Sequence, residues 1–271
     1  KLIKLESIRS NIDIKTFINK KFSLSELDIT TRTIEIKNLI SFIRSIKDSS
    51  QIYILEKFVK KGYLIADINL KFDQKGNIKD DFIIKGFVKD GEVKPLKKIN
   101  LSKINLIFNL QNDKFEFKDI NLSYDNNDLT FPELNIKKQK NKFLVSGKNN
   151  SKNLVLDNKK INQLLNIDFS NLKIKSAEFD LSNTFSFKID NKYKIDDFKI
   201  DSLVNLKNSK VVSSKNLKKF FPELNDIIEL SDHQIQIEYK ENFLSVIGNG
   251  NILIQKEKDN INYDFSKSKK D

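Results

Sequence analysis

Apolar and polar residues alternate along most of this chain with a period of two. Ile68, Leu70 and Phe72 alternate with Asp67, Asn69, Lys71 and Asp73, and Ile104, Leu106, Phe108 and Leu110 repeat the pattern. Phe115 and Phe117 continue it, then Ile120, Leu122 and Tyr124. Further on come Phe185, Phe187 and Ile189, and then Ile235, Ile237 and Tyr239. Successive side chains of a strand point to opposite faces, so each run predicts a strand with one apolar and one polar face. Asn, Asp, Gly and Lys clusters such as Asp73-Gln74-Lys75-Gly76-Asn77 separate many of the runs and read as hairpin turns.

Helical spacing is confined to short patches. Leu39, Ile40, Ile43 and Ile46 form one; Ile54, Leu55, Phe58 and Val59 form a second, with Gly62 as its stop signal. Leu154 to Leu165 and Asn216 to Phe221, the latter closed by Pro222, predict two more. These read as caps or packing elements against a sheet. The fold class expected is mainly β: an elongated, curled antiparallel sheet with a few short helices.

A length of 271 residues suits one extended repetitive domain or two ordinary ones. No Pro- or Ser-rich linker divides the chain, which reads as a single repetitive segment, residues 1–271, of a longer protein. A weak boundary falls near Asn150, where the polar run Lys148-Asn149-Asn150-Ser151-Lys152 precedes a helical patch; the same run also reads as one large hairpin loop. The polar tail from Lys256 to Asp271 reads as frayed or as a continuation into more strands.

Composition supports the β reading. Only Ala66 and Ala177 represent the best helix former, against a wealth of Ile, Phe, Val and Leu. Hydrophobic residues at 38% and charged residues at 32% fit neither a membrane bundle nor a disordered tail. The net charge is +12, yet Arg9, Arg32 and Arg44 are the only Arg among 49 basic residues. Nucleic-acid recognition leans on the planar fork of Arg, so nucleic acid is not the expected partner. Lysines meet an anionic membrane surface well, at about 1 kcal/mol each. The absence of Cys removes disulfides and thiolate metal sites, and is compatible with an oxidising compartment. No run of 18 apolar residues is present.

The inventory of reactive groups is thin. His233 is the sole His; beside Asp232 and just before the Ile235–Tyr239 run, it reads as an exposed turn residue. A Ser-His-Asp arrangement would have to be built on it, and one His cannot supply a zinc site. No phosphate-binding Gly pattern occurs, and Gly248-Asn249-Gly250 reads as a β-bulge or tight turn. Asp80-Asp81 and Asp196-Asp197 are adjacent carboxylates, but strand neighbours point apart and Asp is common where strands begin. The chain reads as a non-enzyme, with no catalytic, cofactor or metal site.

Longer patterns carry a resemblance. The opening Ile8-Arg9-Ser10-Asn11-Ile12-Asp13-Ile14, then Phe17-Ile18, then Phe22-Ser23-Leu24-Ser25-Glu26-Leu27-Asp28-Ile29 and Ile34-Glu35-Ile36-Lys37-Asn38-Leu39 resembles the strand-rich N-terminal portion of AsmA-like proteins, the TamB- and YhdP-type family. Lys61-Gly62-Tyr63-Leu64-Ile65-Ala66-Asp67-Ile68-Asn69-Leu70-Lys71-Phe72, followed by Asp81-Phe82-Ile83-Ile84-Lys85-Gly86-Phe87-Val88-Lys89-Asp90-Gly91, is similar to the family's recurrent unit of Gly-led strand, turn and Gly-bearing strand. The resemblance resumes at Asn216-Leu217-Lys218-Lys219-Phe220-Phe221-Pro222 and runs from Ile235 to Ile254. It covers about three-quarters of the chain, while the stretch from Leu154 to Lys215 matches only as generic strands.

The resemblance implies an incompletely closed sheet curled into a trough, apolar inside, that conducts phospholipid between the two envelope membranes. It also implies a periplasmic location, with anchorage to the inner membrane through a segment outside this sequence. Expected partners are phospholipid, an anionic membrane surface, the remainder of the same polypeptide and envelope proteins. The predicted lining is Ile68, Leu70, Phe72, Phe82, Ile84, Leu106, Phe108, Phe115, Phe117, Phe185, Phe187, Ile235 and Ile237. The alternation alone leaves a second arrangement open, in which two sheets pack face to face as a sandwich and the chain serves as a scaffold or adhesin-like module. A carbohydrate-binding or hydrolytic β-domain is disfavoured, since 21 Phe with no Trp suit an apolar lining better than sugar platforms. Phe108→Asp is the test these readings suggest: lipid lost with the fold largely intact in a trough, unfolding in a sandwich.

Overall fold

The alternating runs become strands of one sheet. The computed structural model describes residues 5–12, 24–46, 53, 56–73, 75–79, 81–96, 99–157, 173–192, 194–213, 219, 226–241, 243–254 and 257–268. The strands are β1 (Leu5–Ile12), β2 (Leu24–Thr31), β3 (Ile34–Glu35), β4 (Val59–Lys71), β5 (Ile83–Leu96), β6 (Ile99–Gln111) and β7 (Lys114–Tyr124). They continue with β8 (Asn127–Gln139), β9 (Lys142–Leu156), β10 (Lys173–Asp190), β11 (Ile195–Val212), β12 (Ile227–Lys240), β13 (Phe243–Ile254) and β14 (Glu257–Ser268). The helix α1 (Ile36–Ile46) lies between β3 and β4. The sheet is antiparallel and open, and apart from β3, which pairs with β4, its order follows the chain from β1 to β14. Nearest-neighbour topology follows from the short hairpin connections, such as the Asp125-Asn126 turn between β7 and β8, where both residues have positive φ.

Several expectations are corrected at the ends of elements. Gly62 does not stop a helix. Glu56–Phe58 is helical, but the chain is already extended from Val59, and Gly62 sits buried inside β4 at φ +135°, with Gly91 of β5 close against it. The polar run Lys148–Lys152 is no loop. It lies within β9, with Asn149 and Ser151 buried and their neighbours exposed. Of the two readings of the tail, frayed or extended into strand, the second holds over 257–268, which pairs with β13 as β14. Of the two later helical patches, 154–156 belongs to β9 and Lys219 is helical; the other residues, apart from Asp157, lie outside the described ones. So do Phe17, Ile18, Phe22, Ile54, Leu55 and Asp80.

Cα proximity divides the chain into two units, Lys1–Asn126 with Thr130–Val145, and Asn127–Leu129 with Ser146–Asp271. Each repeats one device for bending its strands. In the first unit Asp90, Lys103 and Asp119 adopt left-handed φ of 52°, 50° and 51° on β5, β6 and β7, at or beside shifts of the pairing register. Such bulges bend a strand and raise its twist. Asn105 fastens two of them: its Oδ1 accepts from the Asp90 N–H at 3.1 Å, and its Nδ2 donates to the Lys103 carbonyl at 2.9 Å. Asn121 Nδ2 does the same for the Asp119 carbonyl at 3.1 Å.

In the second unit Asn153, Asp197 and Asp232 take left-handed φ of 55°, 51° and 57°, the last two at shifts of the pairing register. The Asp180 carboxylate accepts from the Asn153 N–H at 2.7 Å and pairs with Lys207 at 3.0 Å, while Lys207 also reaches the Asn153 side chain. The Asn153 bond, and next Lys207, hold the Asp180 carboxyl below the usual aspartate range. Because the folded value is depressed, the stability this clamp supplies is complete above that range and is lost as pH falls through the folded value. Asp180→Ala is therefore expected to lower the melting temperature at neutral pH and to flatten its decline on acidification. Asp180→Asn, which keeps an acceptor, should lose less; a variant that melts like the parent across the whole pH range would show the clamp to be inert.

Candidate functional site

Strand register decides which side chains share a face. In the first unit Leu27, Leu70, Ile29, Ile68 and Ile84 follow one another across β2, β4 and β5, and Ile84 lies opposite Leu110 of β6. The next row runs Ala66, Gly86, Phe108 and Phe117, and Leu110 pairs with Phe115. Leu106, opposite Val88, completes the face. Phe72, bridged to Ile78, and Phe82 continue it at the same parity. The predicted lining residues of this unit thus lie together on one face.

That face is not uniform. At one end Leu64, Ala66 and Phe108 are buried, and Ile36 and Leu39 of α1 pack against them. α1 is tied to the helical residues just before β4 by Glu56, which accepts from Ser41 at 3.0 Å and from Arg44 at 2.5 Å. Toward the other end Ile68, Leu70, Phe72, Phe82, Ile84, Phe115 and Phe117 remain half-buried, as does Leu106. Phe108 is thus the exception among the predicted lining residues, 8% exposed within a local core. Phe108→Asp consequently cannot separate an open trough from a sandwich, since a buried, unpaired carboxylate unfolds either one.

In the second unit Phe185, Ile200, Tyr239 and Leu244 form one row across β10 to β13. The next runs Asn183, Ser202, Ile237, Val246 and Phe265, and the one after that runs Leu181, Val204, Ile235, Gly248 and Tyr263. Phe187 stacks on Phe185 at 6.4 Å and meets Phe198 at the same distance, and Phe198 meets Tyr239 at 5.8 Å. All four predicted lining residues of this unit, Phe185, Phe187, Ile235 and Ile237, share this face and are half-buried. Two amide oxygens interrupt it. Ser182 bonds Asn150 on the opposite side at 3.2 Å, which places Asn149 beside Asn183 on the lining side. Both Oδ1 atoms are buried and find no hydrogen-bond partner among the described residues. A buried unsatisfied acceptor costs about 1–3 kcal/mol, so this spot favours any donor that reaches it.

His233 is not an exposed turn residue. It lies in β12 on the same face, 2% exposed, with Nε2 3.0 Å from the Asn251 carbonyl and Nδ1 3.3 Å from the Tyr263 hydroxyl. A carbonyl only accepts, so Nε2 carries the proton, and Nδ1 receives the tyrosine O–H. Burial pushes the Tyr263 hydroxyl above its usual range. Gly248 and Gly250 form no turn either. They lie within β13, and the bulge is across from them at Asp232 on β12. Their role is clearance: a Cβ on Gly250 would lie 2.2 Å from the His233 ring, and one on Gly248 would lie 2.4 Å from the Tyr263 ring. Gly86 under Phe108 is the same arrangement in the first unit. Glycine within an alternating run is the signal that marks such a close approach in sequence.

Lys71, Lys85 and Lys188 alternate with lining residues and lie on the other face of the sheet. Lys71 lies opposite Glu26 and pairs with Asp81 at 2.9 Å, Lys85 lies opposite Asp67, and Lys188 pairs with Asp197 at 2.6 Å. Asp196 and Asp197 are accordingly engaged by lysine, Asp196 by Lys194 at 4.0 Å. Among the described residues no cluster of three His, Cys, Asp or Glu is arranged to hold a metal, and no helix is long and apolar enough to cross a membrane. Comparison of the chain with protein families, curated proteins and solved structures finds no match.

Proposed function

We propose that this chain binds phospholipid along the apolar faces of its sheet, as a non-catalytic, AsmA-like segment of a cell-envelope lipid-transfer protein. The observation that carries the reading is that the predicted lining residues of both units, Phe108 excepted, stay half-buried. Ile68, Ile84, Leu106 and Phe117 pack against the buried cluster yet keep part of their surface exposed, where a sandwich core would bury them fully and a solvated face would replace them with polar residues. Acyl chains laid along such rows gain about 0.8 kcal/mol per buried methylene. The net charge of +12, nearly all of it from Lys, supports a setting beside anionic membranes.

The test is native mass spectrometry of the purified protein. Adducts of phospholipid mass that disappear on delipidation are the expected result, and a spectrum of bare protein after gentle purification would count against the reading. A second reading has one observation in its favour. β14 is the last strand of the sheet order, and its Ile261 and Phe265 are exposed, 37% and 52%. A terminal strand of this kind accepts another segment by strand addition, as a scaffold or a continuation of the same polypeptide would use it. Dimers without lipid in the same spectra would favour that reading.

A further inference from the structure

The reverse face of the first unit carries an apolar patch that its alternation does not predict. Ile65 of β4, Phe87 of β5 and Ile107 of β6 stand directly opposite one another, and Tyr63 lies one position along from Ile65 on the same face. Phe87 is 44% exposed, Tyr63 46% and Ile107 50%. Three lysines border them, Lys89 opposite Tyr63, Lys118 opposite Ile107 and Lys85 two residues before Phe87, with Asp67 opposite Lys85. All three lysines are exposed. Beside Tyr63 opens a cleft of about 670 Å³ lined by Lys37, Lys60, Lys61 and Lys103 against two carboxylates, Glu35 and Asp90. A second cleft of about 460 Å³ runs along Tyr63, Ile65 and Phe87. The second unit's reverse face has exposed Leu203 and Ile247 as well, but Gln236 lies between them and Asp264 beyond Ile247.

We infer that this patch docks the first unit on an anionic bilayer surface. An amphipathic Tyr with Phe and Ile beside it suits the boundary between headgroups and acyl chains, and a rim and cleft of lysines suit the phosphates at that depth. A solvated face would put polar groups at Phe87 and Ile107, and the lysines at the rim supply the charge that complements anionic headgroups. The inference deepens the lipid-handling reading but rests on different residues, on the side of the sheet opposite the lining.

The experiment is co-sedimentation of the whole chain with phosphatidylcholine vesicles, with and without phosphatidylglycerol, read alongside co-purified phospholipid. The parent is expected to bind the anionic vesicles, to release them as salt rises, and to bind neutral vesicles weakly. F87D/I107D is expected to weaken anionic-vesicle binding roughly tenfold or more while keeping co-purified lipid. Both side chains are about half exposed, so the variant should fold; Lys89→Glu with Lys118→Glu provides an independent test that leaves the apolar patch intact. Vesicle binding by F87D/I107D and by the Lys pair at the parental level would overturn the inference, as would a parent that binds neither vesicle. A parent that binds anionic vesicles but co-purifies no phospholipid would instead strike the lining reading alone.

Discussion

Phe187→Asp is expected to lose co-purified phospholipid while keeping a cooperative melt, lowered by several degrees. Phe187 is half-buried on the lining face of the second unit, between the rings of Phe185 and Phe198. Removing the ring forfeits two aromatic contacts, each worth about 0.5–1.5 kcal/mol beyond the area buried. The carboxylate that replaces it retains access to water, so it avoids the penalty of a buried charge. An acyl chain crossing that position has no such escape, because a hydrated carboxylate keeps water in its path. Phe108→Asp supplies the contrast. There the charge enters the cluster of Leu64 and Ala66 beneath α1, where losing the ring alone costs about 3–5 kcal/mol. It is expected to abolish cooperative melting of the first unit. A melt of Phe187→Asp as badly disrupted as that of Phe108→Asp would mean that the lining row is a core, and lipid retained by a folded Phe187→Asp would mean that the row does not carry lipid.

Gly86→Val is expected to be as damaging as Phe108→Asp, by overpacking. A Cβ at Gly86 would lie 2.1 Å from the Ile65 carbonyl oxygen, 2.9 Å from Ala66 Cα and 2.8 Å from Phe108 Cζ. Two of these three are backbone atoms of the adjacent strand β4, so a side-chain rotation relieves only the contact with the ring. Overpacking a core costs about 1–3 kcal/mol where side chains give way, and more where backbone must move. Phe108→Ala added to Gly86→Val should therefore fail to restore the fold, a result that circular dichroism and thermal melts would read directly. Recovery in the double variant would place the whole effect in the ring. Gly76→Val is the control for position: nothing lies within 4 Å of a Cβ there, and only its φ of +83° resists the change.

The sequence by itself determined the sheet and its sidedness. Parity along a strand is a covalent property, so Ile68, Leu70 and Ile84, or Phe185 and Phe187, had to share faces once the runs were strands. Polar alternation hid the strand in Lys148–Lys152, where Asn149 and Ser151 occupy buried positions that apolar residues usually mark. Tertiary structure alone decided how each face is used. Whether Phe108 lines an open face or fills a core depends on Ile36 and Leu39 arriving from α1, a contact between segments about 70 residues apart that periodicity does not encode. His233 looked like a turn residue because its local neighbours are polar; it is buried because Gly250 on the next strand leaves room for its ring. Gly62 looked like the end of a helix, yet Gly91 approaches it from β5 and its φ suits a distorted strand. The patch of Tyr63, Ile65, Phe87 and Ile107 is spread over β4, β5 and β6 and becomes one surface only when register sets those strands side by side. Alternation within a strand is local chemistry, whereas burial and clustering across strands depend on register, which only the assembled sheet defines.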